Sequence, residues 1–353
     1  MREDTRRSIL NSYCPALVPL TDNVIAAVFP LMKLYPAEYC IRTAATAGLI
    51  GPETLIVESS SGTMALGLAV VCRALEYKLV IVTDYACDAA LRKRLEDLKT
   101  TVDIVPGPAP IGGYQRARLD RLHTICNSAA NSWWVNQYDN PGNSASYESF
   151  AEQLIQSVKQ VDCLVVSVGS GGSSCGTARF LRQKFPDLYL IGVDTFGSVL
   201  FGQPDAPRKL RGLGNSLIPK NLDHTAFDEV HWVSAAEANM STRKLHHDTT
   251  LFRGATSGAC WMVAQYWAEQ HPRVNVVCVF PDEGYRYIDS VYDDEYLHKN
   301  GLWTSDIPCR PREVVHPFDA GPDWSFMRWL RRSYRQATGH DPVMAASQQL
   351  AYR

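Results

Sequence analysis

No C-x-x-C pair occurs in the 353 residues, although ten cysteines are scattered from Cys14 to Cys309. That scatter excludes the common zinc and redox frameworks, and no metal is expected. Several cysteines, Cys163, Cys260 and Cys278 among them, sit inside apolar runs, where reduced, buried thiols are expected. An excess of charge of one sign is missing too. A net charge of −2 gives no global attraction to nucleic acid or to an anionic membrane, and no basic tract is interleaved with aromatics. The opening stretch from Met1 to Arg7 is charged and leads into no apolar export core. No later run nears the roughly 18 apolar residues that a membrane span needs. A cytoplasmic protein with neither nucleic acid nor membrane as partner is expected, its function lying in a local site.

What is present is an alternation of short β-prone runs with helical patterns. Strands are expected at Leu17–Leu20, Val24–Phe29, Thr54–Glu58, Leu79–Val82, Val102–Val105, Cys163–Val168, Leu188–Val193, Glu229–Val233 and Val274–Phe280. Helices are expected at Glu38–Ala47, Met64–Glu76, Asp88–Leu98, Tyr147–Val158, Ala235–His246 and Gly258–Glu269. Such alternation reads as parallel βαβ units in two doubly wound α/β domains, each a three-layer αβα sandwich with ligands at the carboxyl ends of its strands. The polar passage Trp133–Asn143 reads as the change of domain. Beyond about Asn300 the composition shifts to Pro, Arg and Trp, with a helix expected at Trp324–Gln336. The expected division is a smaller domain at 34–143, a larger one from 1–33 plus 144–300, and a C-terminal extension at 301–353.

The most informative stretch is Gly169-Ser170-Gly171-Gly172-Ser173-Ser174-Cys175-Gly176, between an apolar run and a helical pattern. Glycines let backbone N–H groups converge, and the helix N-terminus adds partial positive charge, so the stretch reads as an anion cradle. Three anions compete. A nucleoside triphosphate is excluded, because Thr177-Ala178 stands where a P-loop requires Lys and a hydroxyl residue. A dinucleotide gains from Gly169-x-Gly171 and from Asp194, which ends the next strand where an acid meets a ribose, but the third glycine is Ser174. The third candidate is the single phosphate of pyridoxal phosphate.

The third candidate gains from the whole chain. The turn resembles the G-T-G-G-T-x-[ST]-G loop of the cysteine synthase family, fold type II pyridoxal phosphate enzymes with a tryptophan synthase β-like fold. In the same order, Ile9-Leu10 to Leu17-Val18-Pro19-Leu20 resembles "IL…TPLVRL", and Ile56-Val57-Glu58-Ser59-Ser60-Ser61-Gly62 resembles "IVEATSGNTG". Gln137–Pro141 resembles "QFxNPAN", Gly192-Val193-Asp194 "GVEP", and Gly212-Leu213-Gly214 "GIG". Gly254–Ala259 resembles "GxSSGA", and Pro281–Tyr287 resembles "PDxGxRY".

The resemblance implies pyridoxal 5'-phosphate as cofactor, held through Gly169, Ser170, Gly171, Gly172 and Ser173, and a lysine that forms an imine with it. The family's G-S-[VI]-K-D-R string is absent. Lys33 stands at the family's distance before Gly48-Leu49-Ile50, is the only lysine before Lys78, and has the apolar neighbours that depress an ammonium pKa. Ser60, Ser61, Gly62 and Thr63 are expected at a helix N-terminus facing the substrate carboxylate, with Gln137 as a second contact. Thr63 replaces the family's asparagine, which meets the cofactor's 3′-oxygen. Glu283 replaces the Ser or Thr that meets the pyridine nitrogen, and either holds that nitrogen protonated or points away. Arg211, beside Gly212 on the substrate side, is either a phosphate contact or a solvated turn residue.

The implied reaction is β-replacement on an activated serine, O-acetylserine or O-phosphoserine, through an aminoacrylate. The nucleophile is sulfide, another thiol or an amine, and the setting specialised amino-acid biosynthesis. Elimination of the serine/threonine dehydratase kind and a catalytically silent binding relative are the alternatives, ahead of a dinucleotide oxidoreductase. A homodimer is implied by the family alone.

Overall fold

A computed structural model describes residues 11–85, 87–110, 113–210 and 212–342. Ile9, Leu10 and Arg211, singled out from the sequence, lie outside the described residues. The described strands are β1 (Ala16–Pro19), β2 (Val24–Val28), β3 (Leu55–Ser59), β4 (Lys78–Thr83), β5 (Thr101–Ile104), β6 (Ser132–Trp134), β7 (Cys163–Ser167), β8 (Tyr189–Thr195), β9 (Glu229–Val233), β10 (Val276–Phe280), β11 (Arg312–Glu313) and β12 (Ser325–Arg328). They form two sheets, in two compact units.

The first unit is built on Leu31–Ser146. Its sheet runs β5-β4-β3-β6, every pair parallel. Helix Thr63–Leu75 follows β3, and its mostly apolar surface is buried with Leu34, Ile41, Ile56, Leu79 and Ile81 in one core. The loops that matter leave the carboxyl ends of β3 and β6, where parallel sheets of this kind bind their ligands.

The second unit combines Pro15–Pro30 with the described residues from Tyr147 onward. Its eight strands are ordered β1-β2-β10-β7-β8-β9-β12-β11. The five from β2 to β9 are mutually parallel, while β1 and β12 are antiparallel to their inner neighbours. Strands β7, β9 and β10 are buried along their whole length, as a sheet covered on both faces requires. Helix Ala255–Gln270 is buried on almost every side and anchors the core beneath them.

Two stretches differ from their sequence reading. Trp324–Gln336 is not one helix: Ser325–Arg328 is a strand, and only Tyr334–Thr338 is helical. Residues 325–328 pair antiparallel with Trp232–Glu229, while Leu330 and Arg331 have φ of 58° and 56°, which breaks a helix. Trp324 is 2% exposed, and its indole Nε1 donates to His231 Nδ1 at 2.9 Å, so long-range burial fixes this segment. The second difference lies before β6. Gly113–Ser128 is a helix that the irregular pattern concealed, and Ser132–Trp134 joins the first sheet.

Candidate active site

The candidate residues fall into two sets, one in each unit. In the first, Lys33 immediately precedes helix Leu34–Thr46 and is partly buried. Burial pushes its ammonium down to about 8, opposed by the negative charge of Glu58. Helix Thr63–Leu75 passes so close that a Cβ at Gly67 would stand 2.7 Å from the Lys33 carbonyl oxygen and 3.0 Å from its carbon. Only glycine permits that approach. Gly67→Ala is expected to displace the Lys33 backbone and cost about 1–3 kcal/mol, as overpacking against a backbone does. Thermal melting of the cofactor-free protein, beside Gly51→Ala where a Cβ meets nothing among the described residues, checks this.

Ser60–Thr63 forms the turn after β3, with Gly62 as the N-cap of helix Thr63–Leu75. The Ser60 hydroxyl accepts from Gly62 N at 3.2 Å and Ala65 N at 3.3 Å, so it is spent on shaping the turn. The helix's first N–H groups have no intrahelical partner and carry the positive end of its dipole, which suits a carboxylate. Gln137 is brought to this turn: its Nε2 donates to Ser59 O at 3.2 Å.

Sequence reasoning missed Glu58, the 1% exposed side chain beneath both segments. Its carboxylate accepts from Ser59 N at 2.7 Å, Gln137 N at 3.1 Å and Trp134 Nε1 at 3.4 Å. Burial pushes the carboxyl up to about 7 against those three hydrogen bonds and the positive charge of Arg118. The Arg118 side chain, 13% exposed, has Nη1 3.3 Å from Asp84 Oδ2, and its buried Nε has no hydrogen-bond partner among the described residues. The signal for Glu58 was an acid ending an otherwise apolar strand.

In the second unit, Gly169–Gly172 follows β7 and opens helix Gly172–Lys184. Gly171 is the N-cap with φ +79°, and a Cβ there would stand 2.6 Å from Leu222 Cα. The first turn holds no acidic residue, the last carries Arg182 and Lys184, and Ser170 and Ser173 are buried at the entrance. A cradle that a Cβ would fill, at the positive end of a helix, fits a phosphate. Cys175 belongs to packing: its thiol accepts from Asp223 N at 3.3 Å, and burial pushes it up to about 12.

Asp194 does not serve as a ribose ligand. It is fully buried, with Oδ1 accepting from Thr195 N at 2.8 Å. Glu283 follows β10 and is exposed, its carboxylate 4.0 Å from the guanidinium of Arg253. Arg253 is itself buried and donates from Nη1 to Phe29 O at 2.9 Å. Gly212, with φ +78°, has among the described residues only Thr256 Cγ2 near its missing Cβ, at 3.5 Å. Among the described residues, no group of three or more His, Cys, Asp or Glu is arranged to hold a metal ion, and no helix is long and apolar enough to cross a membrane.

The sequence profile of the family described as pyridoxal-phosphate dependent enzyme matches residues 32–282. The chain belongs to that family, and its cofactor is pyridoxal 5'-phosphate. It is 35% identical over 272 residues to the N-(2-amino-2-carboxyethyl)-L-glutamate synthase of Cupriavidus metallidurans, covering 75% of this chain and 80% of that one. It is 36% identical over 269 residues, with the same coverage, to the synthase of that name from Ralstonia nicotianae. Among solved structures, the O-acetylserine dependent cystathionine beta-synthase of Helicobacter pylori matches with a TM-score of 0.73 at 24% identity, over 80% of this chain and 97% of that one. The expected α/β fold, that of the fold type II pyridoxal phosphate enzymes, is therefore the fold of this chain.

Proposed function

We propose that the protein catalyses pyridoxal phosphate-dependent β-replacement on an activated serine, with an amino-acid amine as nucleophile. The observation that carries this reading is Lys33, a lysine poised near 8 where its ordinary value is 10.5. A base in that range is neutral often enough near physiological pH to take a proton from carbon. The choice of an amine is supported by the relatives' name, whose product carries a 2-amino-2-carboxyethyl group on glutamate.

Pyridoxal phosphate, when bound, supplies the electron sink that makes the Cα–H of an amino acid acidic and lets a β-substituent depart. We assign its phosphate to the Gly169–Gly172 loop with Ser170 and Ser173, and its aldehyde carbon to Lys33. The turn Ser60–Thr63 and Gln137 hold the substrate carboxylate. Lys33, released from the cofactor by the incoming substrate amine, would then take the Cα proton. The Cβ–O bond breaks with its electron pair on the leaving acetate or phosphate, and the nucleophile's nitrogen bonds to Cβ and loses a proton. Lys33 then returns a proton to Cα. Thr63 and Glu283 flank the cofactor in this reading. It also carries a homodimer and a cytoplasmic location, and sedimentation of the holoenzyme tests the first.

The direct test supplies the holoenzyme with O-phosphoserine or O-acetylserine and with glutamate or sulfide, and identifies products by mass spectrometry. A glutamate adduct supports the reading, whereas a keto acid and ammonia alone replace it with elimination. A second expectation concerns pH. Covalent uptake of pyridoxal phosphate by cofactor-free protein, trapped by borohydride, should rise with pH and level off above a midpoint near about 8. A midpoint near that of an ordinary lysine would remove Lys33 from this role.

A further inference from the structure

Glu58 has a role that its burial does not by itself require. An apolar side chain at the end of β3 would satisfy the core, yet a carboxylate stands there and takes three N–H donors from three places in the chain. Ser59 N ends β3, directly before the turn into helix Thr63–Leu75, Gln137 N belongs to the loop leaving β6, and Trp134 Nε1 to β6 itself. A second tie, from Gln137 Nε2 to Ser59 O, runs between two of those places at 3.2 Å. Asn143 Nδ2 then donates to Gln137 O at 2.6 Å and closes the far side.

Among the described residues, no counter-cation touches Glu58. Arg118 acts on it through its field, and among the described residues Lys33 is a second charged group facing it, with the Cys40 and Cys126 thiols also within its reach. The acceptor capacity of a carboxylate, up to four lone-pair sites on two oxygens, is therefore what this position uses.

We infer that Glu58 is a positioning residue that sets the Ser60–Thr63 turn and Gln137 in register, so that their donors converge on the substrate's carboxylate. The inference rests on the proposal that these two segments bind that carboxylate. Its burial and raised pKa are consistent with a fixed, water-excluded hub. A glutamine keeps the shape but presents an NH2 to one of the three donors, so Glu58→Gln should misalign the segments without opening a cavity.

The test compares two ligands on the holoenzyme, read as dissociation constants from the shift in cofactor absorption. L-alanine carries the amine and carboxylate but no leaving group, and L-alaninamide lacks the carboxylate charge. The wild-type protein should prefer L-alanine. Glu58→Gln should weaken L-alanine by about tenfold, the loss expected when hydrogen bonds to a charged group are misaligned, and leave L-alaninamide unchanged. Equal losses for both ligands would mark a general structural role and overturn the inference, as would no loss for either. A wild-type protein that binds the two equally removes the carboxylate pocket, and the inference with it. A wild-type preference that Glu58→Gln leaves intact overturns the inference alone. Where Glu58→Gln does not fold, Trp134→Phe removes one donor and is read in the same way: a loss selective for L-alanine supports the hub, and an unselective or absent loss overturns it.

Discussion

Lys33→Ala is expected to end covalent retention of pyridoxal phosphate and to lower turnover by at least about a thousandfold, because one side chain supplies both the attachment and the proton transfer at Cα. Borohydride reduction followed by peptide mapping reads the attachment directly: the wild-type label falls on the peptide containing Lys33, and the variant carries none. A label on any other lysine of the variant would sink the assignment. Stability should move the opposite way. Folding lowers the Lys33 pKa from 10.5 to about 8, so the folded state binds the proton less tightly than the unfolded state does. Wild-type stability should therefore be penalised below about 8 and recover as pH rises from about 8 through 10.5. The cofactor-free Ala variant should melt at least as high as wild type near neutrality. That advantage should fade across the same alkaline window in thermal scans.

Gly171→Ala is the second large effect. Its φ of +79° already disfavours an L-residue, by about 1–2 kcal/mol. The added Cβ would also stand 2.6 Å from Leu222 Cα and 2.8 Å from Asn221 O, both backbone atoms that cannot rotate away. The helix entrance must shift, and its N–H groups with it. Affinity for pyridoxal phosphate is expected to fall by at least about tenfold, equivalent to roughly 1.4 kcal/mol. Pyridoxal, which lacks the phosphate, should bind wild type and variant alike. Equal losses for the two would disconnect the loop from the phosphate. Gly301→Ala is the control, since its φ of +60° carries the same backbone strain while its Cβ would meet nothing among the described residues.

The sequence leads to these two proposed residues by different routes. Gly171 could be read because a glycine-rich turn between a buried strand and a helix has few other uses, and the structure gives it both a left-handed backbone and a close neighbour. Lys33 was reached by its spacing to Gly48, by the absence of another lysine before Lys78 and by its apolar neighbours, while Glu58 and Gly67, which complete its environment, come from later in the chain. Glu58 was passed over because an acid at the end of β3 looks like the point where a strand meets solvent; its donors at Trp134 and Gln137 lie more than seventy residues away. Gly67 reads as a weak spot inside a helix until Lys33 is placed against it. Helix Gly113–Ser128 escaped because only Leu122 is buried along it, so it writes no apolar stripe. The Trp324–Gln336 misreading has the converse cause. Its aromatic spacing suits a helix, but pairing with β9 decides the outcome, and such pairing is non-local.

The order of the larger sheet bears on the proposed homodimer. Its outermost strands are the four-residue β1 and the two-residue β11. Strands so short offer few free backbone groups for another chain to pair with, which protects a sheet from templated growth. The proposed homodimer is therefore expected to rest on side chains meeting side chains and not on this sheet's edges, and substitutions on such a surface should tune it without disturbing a backbone ladder.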